Sequence, residues 1–597
     1  MLRLIAPAFG SIAVLVGILF AVAGFNPSPA LRTAGRSEHP TLGGNGSVKL
    51  VVLLVFDQMR GDYLEKWRDQ FGEGGFKRLT DDGAWFLDCH YPYATTTTGP
   101  GHASLMSGAP PDRTGIINNE WYDRGGATEA YCAGLPKYAI VPTPATKPKW
   151  AGTPDRLLSP TVGDVLKTVT NGRGKVIGLS LKDRSAIFPS GHKPDGAYWF
   201  DKKFVTSTYY RDGLPKWVEE FNKSGKAESY FGKTWDHVKP TEVYDRLVGP
   251  DKSLGEGNGT GQGGVFPHKT DGGENAPGSR FYTALANSPF GNDLLLEFTK
   301  AAIEAEQLGA DDVPDLLTVS FSSNDLIGHT WGPDSHEVMD ATIRSDAQVA
   351  NLLKYLDEKI GKGKYAVIVS ADHGICPIPE VAARQGKDAK RISAAKLVLG
   401  AETFLRGKYA DAEPVVENQP AQPAKEGEDP PLPKTRWMEK VSPPYIYLNH
   451  RLIKSKGLKV EDVANELAGW ARQQDGVLAV YTYTDLVGNK VSETDSIGPS
   501  VKKAFHPDRS GDLFVVLKPY HLIGSVSVGD RLVTGTTHGS PHDYDTHAPL
   551  VVYGPGVAGG KRTEKVTPLH AAPIAAQFLG IPSPTDALYP VPATLRK

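Results

Sequence analysis

Four threonines run into a Gly-Pro-Gly turn in Tyr93-Ala-Thr-Thr-Thr-Thr98-Gly-Pro-Gly-His102, ahead of a helix-compatible stretch. A hydroxyl at such a helix start lies among free N–H groups that favour an anion. Threonine alone is a weak nucleophile, but a nearby metal ion can lower the pKa of its hydroxyl and generate the alkoxide. Ligands for metal ions are present elsewhere in the chain. Asp325 and His329 are four residues apart, so one helical turn places a carboxylate and an imidazole side by side. Asp372 and His373 follow an apolar run directly, and Gly374 lets the chain turn so that both side chains converge. Asp57 closes another apolar run, and the segment Gly535 to Leu550 offers His538, His542 and His547. Singly, each residue has a structural explanation, as a helix cap, a turn or a solvated pair. Jointly they supply enough oxygen and nitrogen ligands for two zinc-like ions without a thiolate.

These residues have to be carried by a rigid frame, and the apolar pattern shows which. Val48 to Phe56 is an almost unbroken β-rich run, and similar runs occur at Lys175 to Leu181, Asp315 to Phe321, Tyr365 to Ser370 and Leu550 to Tyr553. Runs without alternation are strands buried on both faces. Helical patterns such as Glu337 to Lys359 lie between them, so the fold class is α/β, a largely parallel central sheet flanked by helices. Ligands in such folds sit beyond the carboxyl ends of the strands, where the polar clusters above fall. Between residues 434 and 534 the pattern changes to short extended and helical pieces, which reads as a smaller inserted α+β lobe. The expected division is 48–409 for the first part of the catalytic domain, 410–433 for a Pro/Glu/Ala-rich linker, 434–534 for the lobe and 535–597 for the last part. Gly249 to Arg280, rich in Gly, Pro and Asn, reads as a long surface excursion.

Composition narrows the function. Sixty-six basic residues against 68 acidic ones leave a net charge of −2, which provides no footprint for nucleic acid as a specific partner. The three cysteines, Cys89, Cys132 and Cys376, form no C-x-x-C pair, which argues against a cysteine zinc site and a disulfide scaffold. Residues 1–25 carry one positive charge and an apolar run ending in Ala21-Val-Ala23, the pattern of a signal peptide, with an uncleaved anchor as the alternative; 26–47 reads as a linker. The expected location is therefore outside the cytoplasm, periplasmic or secreted, with membrane contact only through that segment.

Taken together, Asp57, Thr98-Gly-Pro-Gly-His102, Asn119, Asp325-x-x-x-His329, Asp372-His373-Gly374 and Thr546-His547-Ala-Pro-Leu550 resemble the alkaline phosphatase superfamily, in its phosphodiesterase/nucleotide pyrophosphatase-related branch. The segment Ser180-Leu-Lys182-Asp-Arg184 is similar to the Lys-x-Arg element of the phosphate-irrepressible bacterial alkaline phosphatases. The resemblance implies two Zn2+, one held by Asp325, His329 and His547 and the other by Asp57, Asp372 and His373. It also implies Thr98 as the nucleophile in contact with metal, and Asn119, Lys182 and Arg184 as contacts for substrate phosphate. The expected activity is hydrolysis of small phosphate monoesters through a phosphothreonine, with phosphodiester or nucleotide pyrophosphate hydrolysis as the alternative. His538 and His542 compete with His547 for the last ligand place, and Thr97 competes with Thr98 by one residue of register.

Overall fold

The computed structural model describes residues 48–144, 148–409, 436–492, 494–524, 527–528, 531–532 and 535–595. It divides into two units, Met1–Pro40 and Thr41–Lys597. The first unit, with the expected signal segment, and the 410–433 linker lie outside the described residues. Among the described residues no helix is long and apolar enough to cross a membrane.

Strand β1 (Leu50–Phe56) buries all seven of its side chains. Successive residues of a strand face opposite sides, and here each side meets its own core. Leu50, Val52, Leu54 and Phe56 join a cluster with Leu294, Ile303, Val349 and Leu352 from the helices Pro289–Ala305 and His336–Leu356. Val51, Leu53 and Val55 join a second cluster with Leu105, Leu166 and Ile574. A strand sandwiched in this way needs apolar residues at every position, which is why its sequence shows no alternation. At about 1.5–3 kcal/mol for each fully buried large aliphatic side chain, such a strand anchors the whole sheet.

Among the described residues the sheet has ten strands. In chain order they are β1, β2 (Ala84–Cys89), β3 (Ile140–Val141), β4 (Val176–Ser180), β5 (Gly196–Asp201), β6 (Lys203–Ser207), β7 (Asp315–Phe321), β8 (Tyr365–Ser370), β9 (Leu550–Tyr553) and β10 (Gly560–Val566). Their order across the sheet is β10-β2-β9-β8-β1-β7-β4-β5-β6-β3. The five contiguous strands β8, β1, β7, β4 and β5 are mutually parallel. Antiparallel strands flank them: β9 runs against β8 on one side and β6 against β5 on the other. The sheet is thus mixed around a parallel centre. The register aligns Val55 with both Ser320 and Ser370, and Ser320 with Ser180, so β1, β7, β8 and β4 end level at one edge.

Residues 438–517 form a four-stranded antiparallel sheet from Met438–Ser442, Tyr445–Leu448, Val477–Thr482 and Leu513–Leu517. It has a core of its own, including Trp437, Leu448, Leu467 and Leu513. Ala401 and Leu405 belong to that core as well, so the helix Ala394–Lys408 packs with the lobe although it precedes residue 434. The excursion 249–280 is ordered by aromatic packing: Phe266 and His268 surround Trp235, which meets Trp331 edge-on.

The helix Thr98–Ser107 starts against the Asp372 turn, and all ten of its residues are buried. A Cβ added at Gly101 would lie 2.2 Å from the Asp372 carbonyl oxygen. Overpacking of this kind costs about 1–3 kcal/mol. Gly101→Ala is therefore expected to lower the melting temperature and to cut turnover by shifting Asp372; unchanged stability and kinetics in that variant would contradict the close approach.

Candidate metal centre and nucleophile

Most of the expected site residues follow a strand that ends at the same edge. Asp57 follows β1, Lys182 and Arg184 follow β4, Asp325 and His329 lie on the helix Ser323–Trp331 after β7, and Asp372 and His373 follow β8. The segment 535–549 approaches β9, which is antiparallel, so it reaches the same edge from the other direction.

Three histidines share one arrangement. His329 Nδ1 is 2.8 Å from the Thr536 carbonyl oxygen, His373 Nδ1 is 2.9 Å from that of Gly374, and His538 Nδ1 is 2.9 Å from that of Thr96. A carbonyl accepts, so each Nδ1 carries a hydrogen and each Nε2 points inward, the atom that a metal ion would take from a deprotonated ring. His329 Nε2 and His538 Nε2 lie 3.2 Å apart, and Asp325 Oδ1 lies 3.2 Å from the first and 3.5 Å from the second. Zinc bonds of 2.0–2.2 Å in a tetrahedron imply ligand separations of about 3.3 Å. The three atoms match that spacing. A second set surrounds His373 Nε2, with Asp372 Oδ2 at 3.2 Å, Asp57 Oδ1 at 3.6 Å and Thr98 Oγ1 at 3.4 Å. Asp57 Oδ1 is buried and meets no hydrogen-bond donor among the described residues, and Asp372 Oδ2 is buried with His102 Nδ1 at 3.1 Å, a nitrogen that also lies 2.9 Å from the Thr98 carbonyl oxygen. Buried carboxylate oxygens crowded around an imidazole nitrogen fit a cation.

The local charge points the same way. Burial, reinforced by the charge of Asp372, pushes the Asp57 carboxyl up to about 7. Burial also raises Asp325 and Asp372, but His329 and Lys182 outweigh it at Asp325, and His373 and His102 at Asp372, so both carboxyls fall well below their ordinary value. Burial, with the charge of His373 beside it, lowers His538 to about 3, which keeps that ring neutral and in its ligand form. Lys182 Nζ sits between Asp57 Oδ2 at 2.7 Å and Asp325 Oδ2 at 2.5 Å, bridging the two carboxylate sets.

The expected last ligand is not brought in. His547 pairs its backbone with His90, stacks on that ring at 4.7 Å, and places Nε2 3.0 Å from the Leu87 carbonyl. Its ring covers Gly61, where an added Cβ would lie 2.5 Å from Nε2. The alternative His542 spends its Nε2 on the Leu517 carbonyl at 2.9 Å. His538 lies beside Asp325 and His329 because the loop carrying it docks on the Asp372 turn: Gly374 N–H donates to the Asp545 carbonyl, and the Asp545 carboxylate accepts from Gly539 N, Ser540 N and Ser540 Oγ.

The hydroxyls of the threonine run face different partners. Thr96 Oγ1 donates to the Ser540 carbonyl and Thr97 Oγ1 to Asn118 Oδ1, which leaves Thr98 facing His373. Asn119 Oδ1 accepts from Gly99 N–H at 2.7 Å, so its Nδ2 is left to donate elsewhere. Arg184 Nη1 reaches Tyr131 OH at 3.4 Å, and among the described residues no carboxylate forms an ion pair with it. Its guanidinium is an uncommitted cation beside the helix start.

Two residues escaped the sequence reading. Gln58 has a left-handed backbone at φ 71°, donates from its backbone N–H to Asp372 Oδ1 at 3.1 Å, and donates from Nε2 to Asp325 Oδ1 at 2.6 Å. It thereby ties the two sets together. A non-glycine residue at positive φ is a strained feature that clusters at working sites, yet nothing in the sequence marks it. Asp545 stood among other polar residues and had no spacing signal.

The chain has relatives among known proteins. The family profile described as "Type I phosphodiesterase / nucleotide pyrophosphatase" matches residues 51–541. The chain is 32% identical to alkaline phosphatase PafA of Elizabethkingia meningoseptica over 90% of its length and 93% of that protein's. It is 31% identical to alkaline phosphatase PhoV of Synechococcus elongatus over 92% and 93%. The crystal structure of wild-type PafA superposes with a TM-score of 0.81 at 31% identity, covering 92% of this chain and 99% of the other. A PafA variant altered at one threonine, one asparagine, one lysine and one arginine has also been solved, with a TM-score of 0.80 at 30% identity over the same shares of both chains.

His538→Ala is expected to lose about one zinc per chain after dialysis, as measured by elemental analysis, whereas His547→Ala keeps the wild-type content. The reverse result would return the ligand place to His547.

Proposed function

Given that the chain belongs to the type I phosphodiesterase/nucleotide pyrophosphatase family, we propose that it is an alkaline phosphatase that hydrolyses phosphate monoesters through a covalent intermediate on Thr98. The observation that carries this reading is the pair of ligand sets at tetrahedral spacing, with Thr98 Oγ1 beside the second. Asp325, His329 and His538 would hold one Zn2+ and Asp57, Asp372 and His373 the other. Mixed imidazole and carboxylate donors favour zinc over magnesium. When bound, these ions supply the Lewis acidity that lowers the hydroxyl pKa of Thr98 and neutralises charge on the phosphate.

The protein's own residues do the rest. Thr98 Oγ, having lost its proton, forms a bond to phosphorus while the bond to the departing alcohol oxygen breaks on the opposite side, and that oxygen leaves as the alcohol with the proton. Water then forms a new P–O bond as the P–Oγ bond breaks, one of its protons returns to Thr98 Oγ, and inorganic phosphate leaves. The start of the helix Thr98–Ser107 and the Nδ2 of Asn119 receive phosphoryl oxygens, so catalysis rests on positioning and charge. The threonine, asparagine, lysine and arginine altered in the solved PafA variant are the residue types that converge here as Thr98, Asn119, Lys182 and Arg184.

Preference for monoesters follows from the two cations. A monoester at alkaline pH is a dianion, and Arg184 offers it an unpaired fork of donors while Lys182 adds a compact charge. Charge-assisted bonds of this kind contribute about 1.5–3 kcal/mol each. A diester carries one charge less and an organic group where these side chains reach. Thr98→Ala is expected to abolish turnover of both ester types, with Thr98→Ser retaining a measurable fraction. The double variant Lys182→Ala, Arg184→Ala should lose roughly two or more powers of ten in kcat/KM on a monoester, at about 1.4 kcal/mol per tenfold, and far less on a diester. An unchanged monoester-to-diester ratio would instead favour the phosphodiesterase reading.

A further inference from the structure

A second cluster of ligating side chains lies apart from the centre above and shares no residue with it. His237 follows the short strand Thr234–Trp235, Asp251 opens the excursion 249–280, and His336 is the first residue of the helix His336–Leu356. One ligand atom from each lies within 4.8 Å of the other two. His336 Nε2 is 2.7 Å from the Gly249 carbonyl, so that nitrogen carries the hydrogen and Nδ1 presents its lone pair. His336 Nδ1 is 3.0 Å from His237 Nε2 and 3.7 Å from Asp251 Oδ1. These values bracket the ligand separation of about 3.3 Å that tetrahedral zinc requires. His237 Nδ1 lies 3.5 Å from Asp236 Oδ1, an exposed carboxylate oxygen that accepts from the His237 backbone N–H at 2.8 Å.

A hydrogen bond between the two rings would explain their contact without a metal. It does not explain Asp251. Asp251 Oδ2 accepts from Phe266 N–H at 2.9 Å, but Oδ1 is buried and without a hydrogen-bond donor among the described residues. A carboxylate oxygen left unpaired beside two imidazoles costs free energy that a cation would recover. The His336 side chain is 1% exposed, His237 11% and Asp251 22%, so the cluster is dry on one side and open to entry on the other.

We infer that His237, Asp251 and His336 form a third, structural metal site for zinc or a similar borderline cation, with water completing its coordination. Two imidazoles and one carboxylate select that class of ion over calcium or magnesium, which take oxygen ligands. The site joins three separate stretches of chain and fastens the excursion 249–280. That excursion in turn packs on the helix bearing Asp325 and His329, because Gly257 N–H donates to the Thr330 carbonyl at 2.6 Å.

The test uses the full chain, equilibrated with excess zinc and then dialysed, with zinc per chain measured in wild type, Asp251→Asn and His237→Gln. Asp251→Asn preserves shape, so folding is retained. Wild type is expected to hold one more equivalent than either variant, while monoester turnover of the variants stays within about twofold. Limited proteolysis supplies a second readout: zinc should slow cleavage within 249–280 about tenfold in wild type but not in Asp251→Asn. Equal zinc content in all three proteins, or equal protection in wild type and Asp251→Asn, would overturn the site.

Discussion

Three aspartates, Asp57, Asp325 and Asp372, are buried together at the edge where the parallel strands end. Removing even one carboxylate from water costs several kcal/mol, and three in proximity repel one another. Much of the surrounding architecture answers that problem. Lys182 bridges two of the three, three histidines turn their Nε2 atoms inward, and Gln58 donates to two of them from a strained backbone. An arrangement so unfavourable in isolation is one that cations would stabilise.

The fold makes the cluster tolerable by placing it on rigid supports. Each carboxylate lies within a few residues of the end of a fully buried strand, and the register brings β1, β7, β8 and β4 to a common level. The reversal of β9 brings a further segment to that edge without an additional crossover, and this segment contributes His538. Glycines occupy the places where backbone must come closest. An added Cβ at Gly374 would lie 2.1 Å from the Tyr544 carbonyl, so the docking of the His538 loop on the Asp372 turn depends on that residue.

The positive groups differ in how committed they are. Lys182 is held by Asp57 and Asp325; its burial opposes the charge, but the two carboxylates outweigh that and keep it firmly protonated. Among the described residues the Arg184 guanidinium has a long contact to Tyr131, whose hydroxyl is in turn held by Asp183. One of the two cations is thus committed to the aspartate cluster, and the other is left without a carboxylate among the described residues. In the sequence they look equivalent, two residues apart in one turn.

Much of the architecture and most of the site were legible in the chain. The continuous apolar runs of β1, β7, β8 and β9 identified buried strands because a strand covered on both faces has no polar position to alternate with. The i, i+4 pair Asp325 and His329 and the adjacent Asp372 and His373 were legible because their geometry is local to a helical turn or a strand end. The resemblance to the phosphatases added Thr98, Asn119, Lys182 and Arg184, all of which lie at the same edge. The direction of β9, the inclusion of Ala394–Lys408 in the lobe core and the choice among His538, His542 and His547 were not legible. Those three histidines stand within ten residues of one another, all next to polar neighbours, and nothing local distinguishes them. Which one reaches the cluster depends on the carbonyl that each ring meets, Thr96, Leu517 or Leu87, and those carbonyls come from distant parts of the chain. Residue types and short spacings determined what chemistry was available, and long-range backbone contacts decided which atoms perform it.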